Sequence, residues 1–354
     1  MLHDCKRSVR PYMASLFSLA VLAGCAGRSP VPSLQPVSSL SATRAVGGLL
    51  SPGGDFIGCP YPSGDIYQTN ISGVTPDPES NAYIASVISA PGGSGGFQAW
   101  INTQDINEAS NSTPLLTVNP GNSYDLPFSP IPWALNFFIE KDGDHHSEVL
   151  QGQTCQYYEG YRTTFNPLNE ILSMYNNEHI DLTVPFVRPA TGALSTATGI
   201  PLGLLAVRPE ELSAGVISHA LGWNAVAGSL NGVAGAPCVN PAGYSDCTDG
   251  NRYDGRLPHP MPYGSHARLK ATFDTSHLTP NVKIIATAMQ TYGLYVYDTG
   301  CCNAIILAED ENGQQNWTSA DTMSLGNISP SNFEIVPPPL DGQTSSPKHR
   351  LKKP

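Results

Sequence analysis

Glycine and proline break this chain so often that long helices have little room, with 34 Gly and 32 Pro in 354 residues. Proline removes a backbone donor, and glycine raises the entropic cost of ordering a helix. Between these breaks the apolar residues fall in short runs that alternate with polar ones, the period of a strand with one buried face. The pattern predicts a mainly β protein: an antiparallel β-sandwich or jelly-roll-like core with a few short covering helices. Regular βαβ repetition is absent, which argues against a Rossmann or TIM architecture.

Four segments carry the pattern best. "SEVLQGQTCQYYEGYRTTF" reads as strand, turn, strand, with Gln151–Gln153 as the connection. In "RPEELSAGVISHALGW", Pro209, Glu210 and Glu211 open a short helical turn that Gly215 stops. The alternation after it predicts a strand with His219, Leu221 and Trp223 on one face. "ARLKATFD" alternates Ala267, Leu269, Ala271 and Phe273 inward with Arg268, Lys270 and Thr272 outward. Thr279 and Pro280 then suit the start of a helix whose apolar stripe is Val282, Ile285, Ala286 and Met289. Gly293 ends that helix, and "LYVYD" predicts a buried strand that delivers Asp298 to a cleft near His219 or His146, with Leu294 and Val296 on its face.

The leader points to export. Lys6, Arg7 and Arg10 precede an apolar run, Tyr12 to Ala23, that is short for a membrane span. The run ends in "LAGC", small residues before Cys25, as a lipoprotein signal peptidase requires. The expected organisation is a signal peptide over 1–24 and lipidation at Cys25, with a flexible Ser/Pro/Gly-rich tether over 25–52. One β-rich globular domain follows over 53–335, then a disordered basic tail over 336–354. Ala26 after the cysteine favours an outer-membrane or extracellular position in a bacterial envelope. Six cysteines then remain in the exported part, an even number that favours disulfides. Cys238 and Cys247 would close one loop, and Cys59 and Cys155 would bridge the domain. A thiolate metal site lacks its C-x-x-C spacing.

The chemistry is less explicit. A formal net charge of −11 argues against a nucleic-acid partner. No G-x-S-x-G, H-E-x-x-H or Walker A string occurs, so esterase, zincin and NTPase readings lack support. "DGDHH" gathers Asp142, Asp144, His145 and His146 in one turn. Its ordinary reading is a polar turn. Its functional readings are acid–base or polar-substrate contact, with a divalent cation on Asp142, Asp144 and His146 as a weaker alternative. No cofactor is otherwise called for. His219 beside Trp223 suits either a satisfied core or a sugar platform.

Some of these segments also resemble a known group. "CPYPSGDIYQTN", "DGDHHSEVLQGQTCQYYE", "GVISHAL" and "RLKATFDTSHLTPNVKIIATAMQTYGLYVYDTG" are similar to segments of a widespread group of secreted bacterial proteins, many described only as hypothetical or carbohydrate-related. The likeness covers roughly 55–310 and implies one secreted domain. It points to His146, Glu159, His219 and Asp298. Thr299 and Tyr67 stand where the group tends to have Asn and Trp. The expected function is that of a surface-tethered carbohydrate-active protein, a glycoside hydrolase or polysaccharide lyase acting on a polysaccharide or cell-wall glycan. Asp298, His219, His146 and Glu159 are the catalytic candidates, and Asp144, Trp223 and Arg268 the substrate contacts. The alternative is a non-catalytic glycan-binding or structural surface lipoprotein that self-associates.

Overall fold

The computed structural model describes residues 55–56, 58–60, 65–120, 128–141, 143–186, 195–196, 198–226, 238–242, 259–300, 302–309 and 316–338. The expected leader, the expected lipidation site Cys25, the expected tether and all but the first residues of the expected tail lie outside them. So do Asp142 and Cys247.

The described residues are mostly β, with few short helices. Nine strands build the main sheet. They are β1 (Gln98–Ala109), β2 (Ser147–Gln151), β3 (Gln156–Tyr161), β4 (Asn176–Asp181), β5 (Leu221–Val226), β6 (His266–Leu269), β7 (Leu294–Gly300), β8 (Ala304–Glu309) and β9 (Phe333–Val336). Their order across the sheet is β4-β3-β2-β1-β8-β5-β7-β6-β9. The expected antiparallel pairing is corrected here. β1 runs parallel to both β2 and β8, and β5 runs parallel to β7, so the sheet is mixed and open. Parallel neighbours require long connections. Between β1 and β8 the chain builds β2 to β7 of the same sheet, and between β5 and β7 it builds β6, an order that local alternation does not reveal.

Helices α1 (Ser80–Ser89), α2 (Pro209–Ala214), α3 (Pro280–Thr291) and α4 (Ser319–Leu325) pack against this sheet. Among the described residues no helix is long and apolar enough to cross a membrane. α3 buries the expected stripe, with Val282, Ile285, Ala286 and Met289 all in the core. α2 ends where expected, on Gly215 in the left-handed region at φ 79°. β5 begins at Leu221, so His219 precedes the strand rather than sharing its face. β6 ends at Leu269, well short of Phe273, because the chain turns at Lys270 to reach α3.

The hairpin β2–β3 separates two cores. Leu150 and Tyr157 face the main core, whereas Val149 and Tyr158 face a smaller cluster around Trp133, Val118 and Leu172. The smaller cluster lies under a three-stranded sheet of Val118–Asn119, Thr164–Asn166 and Ile171–Ser173. Cys59 and Cys155 form a disulfide that closes a separation of 96 residues onto the turn of this hairpin. Cys238 is also disulfide-bonded. Its expected partner, Cys247, is outside the described residues.

Candidate functional site

A cleft of about 220 Å³ opens over the middle of the sheet, where β1, β8, β5 and β7 meet. Its floor comes from register. Trp100 on β1 lies opposite Ile306 on β8, and Asn224 on β5 lies opposite Asp298 on β7. All four side chains line the cleft. Between Trp223 and Asn224 the β5–β7 pairing slips, so that Tyr297 has no partner on β5. Such a bulge re-aims the residues that follow it. Tyr297, Asp298 and Thr299 in succession therefore all reach the cleft, which unbroken alternation would not allow. Gly300 completes the floor. A Cβ there would lie 2.6 Å from Asn224 Oδ1 and 2.8 Å from the Trp100 ring. Any larger residue would displace one of them.

The rim comes from a turn that contributes Glu140, Gly143, Asp144 and His146. Glu140 N–H donates to the His146 carbonyl at 2.9 Å, and His146 N–H returns a bond to Glu140 Oε2 at 3.0 Å. His145 Nδ1 donates to the Glu140 carbonyl at 2.9 Å. Two further bonds, Arg162 N–H to the Asp144 carbonyl and Thr163 N–H to the His145 carbonyl, pin the turn to the end of β3. Gly143 sits at φ 85° with Glu140 Oε1 only 3.2 Å from where its Cβ would be, so the tight turn needs glycine there on both counts.

This geometry sets the electrostatics. Burial, reinforced by the Asp144 charge, pushes the Glu140 carboxyl up to about 7, against the lowering effect of the His146 and Asp144 N–H groups. Burial holds the His146 imidazole down at about 4, although the Asp144 charge works the other way. His146 is therefore neutral at neutral pH. Its Nδ1 is buried without a hydrogen-bond partner among the described residues, as is Asn224 Oδ1. Both residues line the cleft, together with Asp144.

The structure thus brings together three of the sequence candidates, Asp298, His146 and Asp144. It puts the others elsewhere. Glu159 is buried behind the cleft, in register with Glu148 on β2 and Glu178 on β4. It accepts from Tyr157 Oη at 2.6 Å, from the Ser195 hydroxyl, and from Leu202 N–H at 2.9 Å. It fixes the turn that presents Leu202 to the cleft and does not itself line it. His219 is wholly buried in a different cluster. Its Nε2 lies 2.9 Å from Glu211 Oε1, and its Nδ1 donates to the Ala220 carbonyl at 2.8 Å. Trp223 is no platform: its ring packs between Phe97 and Phe333 in the core, and its Nε1 donates to Asn303. Arg268 is buried, donating to Glu334 and to the Ile71 carbonyl at the β6–β9 edge. Among the described residues no group of three or more His, Cys, Asp or Glu side chains is arranged to hold a metal ion.

The sequence reading missed Trp100 and Asn224 on the floor and Glu140 at the rim. For Glu140 the signal was weak but present: an acid ending an apolar run, immediately before a turn dense in charge. No family model, curated protein or solved structure matches this chain.

Proposed function

We propose that this protein is carbohydrate-active and that the cleft hydrolyses a glycosidic bond, with Glu140 as general acid and Asp298 as the opposing carboxylate. The observation that carries the reading is Glu140. A carboxyl with its pKa near 7 keeps a proton to donate at neutral pH, beside other carboxyl groups in the same cleft. Glycoside hydrolysis needs such a pair with divided roles. Trp100 offers an aromatic face for a sugar ring. The cleft is small against the roughly 300–1,000 Å³ usual for ligand pockets, which suits one sugar unit at a chain end or side branch. A lyase acting on uronates would want a cation near the substrate carboxylate. Among the described residues the lining offers no Lys or Arg for that role. The Cys59–Cys155 disulfide suits an oxidising compartment and supports the exported reading.

Glu140→Gln and Asp298→Asn test the assignment, assayed against a panel of glycans with folding checked by circular dichroism. Each should lower turnover by about 100-fold or more, the range of general acid–base catalysis, with ligand binding retained. Binding by the parent protein with no turnover on any glycan would leave a non-catalytic glycan-binding protein in its place.

A further inference from the structure

A second group of side chains adjoins the rim of the cleft. β3 ends at Tyr161, two residues beyond Glu159, so by alternation the two side chains share a face, the one that meets the Leu202 turn. Tyr175 N–H donates to the Tyr161 carbonyl at 2.9 Å, and the two rings meet edge to face with centroids 6.1 Å apart. Arg162 follows in the left-handed region at φ 51°. Its guanidinium carbon lies 5.2 Å from the centre of the Tyr161 ring and 5.3 Å from that of Tyr175. Contact with two ring faces preorganises a long cationic side chain that would otherwise sample many rotamers. Arg162 is exposed and both tyrosines are half-buried, so the group is open to solvent. Two contacts tie it to the cleft. The Tyr161 ring lies 5.5 Å from the His146 ring, and Arg162 N–H donates to the Asp144 carbonyl at 3.0 Å. His146 and Asp144 both line the cleft, whereas Arg162 does not.

We propose that Tyr161, Arg162 and Tyr175 form a second sugar subsite, outside the cleft, for a ring that carries an anionic group, a carboxylate or a sulfate ester. The inference rests on the reading of the cleft as a glycan site and adds the class of the neighbouring sugar. The cleft takes one sugar unit, so the next unit of the same glycan rests on the rim. The tyrosine rings offer apolar area to that unit. The guanidinium offers paired N–H donors whose fork matches a carboxylate or a sulfate. A neutral sugar would use the rings alone and leave the cation unanswered. The formal net charge of −11 repels an anionic ligand from the molecule as a whole. A preference for one therefore needs a local cation, which Arg162 supplies.

The test uses the full chain at pH 7 with three short oligosaccharide probes: neutral glucose oligomers, their sulfated forms and oligouronates. Binding is followed by calorimetry. At least one anionic probe should bind about 10-fold tighter than the neutral one, and which of the two does so identifies the group as sulfate or carboxylate. Arg162→Asn should erase that preference and leave affinity for the neutral probe unchanged. Asparagine suits a left-handed backbone, and circular dichroism confirms that the variant folds. Equal or tighter binding of the neutral probe would overturn the proposal while leaving the cleft reading standing. A preference that survives Arg162→Asn would place the anion elsewhere and overturn it too. Binding of none of the three would also overturn it, whereas turnover of any neutral glycan by the parent would still uphold the cleft. An anionic preference that depends on Arg162, with no turnover of any glycan and no effect of Trp100→Ala, would uphold the subsite and remove the catalytic cleft.

Discussion

His146 and His219 are both buried imidazoles, and their surroundings differ in kind. His219 belongs to a closed cluster. Glu211 Oε1 lies 2.9 Å from its Nε2 and accepts from Arg208 Nη2 at 2.7 Å. Glu211 Oε2 accepts from the Arg208 N–H at 3.0 Å. Burial works against the Glu211 charge, yet Arg208 and His219 outweigh it and hold the carboxyl below its ordinary value. The cluster has a ready structural account: it fastens α2 to the segment entering β5. His146 has the opposite character. Its ring touches Tyr161, its Nδ1 has no partner among the described residues, and it borders open space. Residue type and burial are the same in the two cases. What separates structure from function is whether the polar atoms are spent.

The comparison breaks most visibly at Glu211. Glu211→Ala removes the buried carboxylate that Arg208 Nη2 and His219 share, leaving Arg208 with the exposed Glu210 at 3.0 Å from its Nε. Removing one partner of a buried ion pair costs about 3–5 kcal/mol. Chemical denaturation should show a loss of that size, while turnover per folded molecule stays unchanged. A drop in turnover of the folded fraction would mean that the cluster feeds the cleft, and the separation drawn between the two histidines would fail.

The two tryptophans sharpen the same contrast with a smaller effect. Trp100 lines the cleft, whereas Trp223 is enclosed by Phe97 and Phe333. Trp100→Ala should weaken binding of whichever glycan of the panel the parent protein binds about 10-fold, equivalent to about 1.4 kcal/mol. Calorimetry reads this directly. Unchanged affinity would show that the ring is only part of the floor.

Local pattern made the hairpin over 147–161, helix α3 and the strand carrying Asp298 legible, because each is fixed by residues close in sequence. The Cys59–Cys155 bridge was also reachable, by pairing an even set of cysteines. The mixed sheet was not, since β1 meets β2 and β8 through contacts distant in sequence. Periodicity assigned His219, Trp223 and Arg268 to faces, but it cannot say whether a face meets solvent, a cleft or the core. Arg268 finds its carboxylate on Glu334, 66 residues away. Glu140 escaped for a related reason. Its raised pKa comes from the fold of the turn over its side chain, and nothing in its immediate neighbours announces that burial. The bulge at Tyr297 likewise appears only when β5 and β7 are laid side by side.

The smallest expected effect is a pH dependence, and it separates the two acids best. Glu140 has a folded pKa of about 7 against an ordinary 4.5. Between those values the folded chain holds a proton that the unfolded chain has lost. Stability from this group is therefore complete below about pH 4.5 and declines as pH rises through about 7. Glu211, with its pKa lowered, works in the other direction, and its contribution is lost on acidification. Glu159 and Glu178, both raised by burial, decline with Glu140, so the parent's melting curve alone does not isolate one residue. The difference between parent and Glu140→Gln does. The amide mimics the protonated acid and still accepts from His146 N–H. Melting temperatures of the two should match near about pH 4 to 5 and diverge toward about pH 8, with the variant the more stable. Allowing for solvent on the open side of the cleft, the gap should be on the order of 1 kcal/mol, or about 2–4 °C. The parent's turnover should fall over the same interval as the general acid loses its proton. A constant temperature difference across that range would mean that Glu140 is ionised throughout, and the acid would have to be sought elsewhere in the cleft.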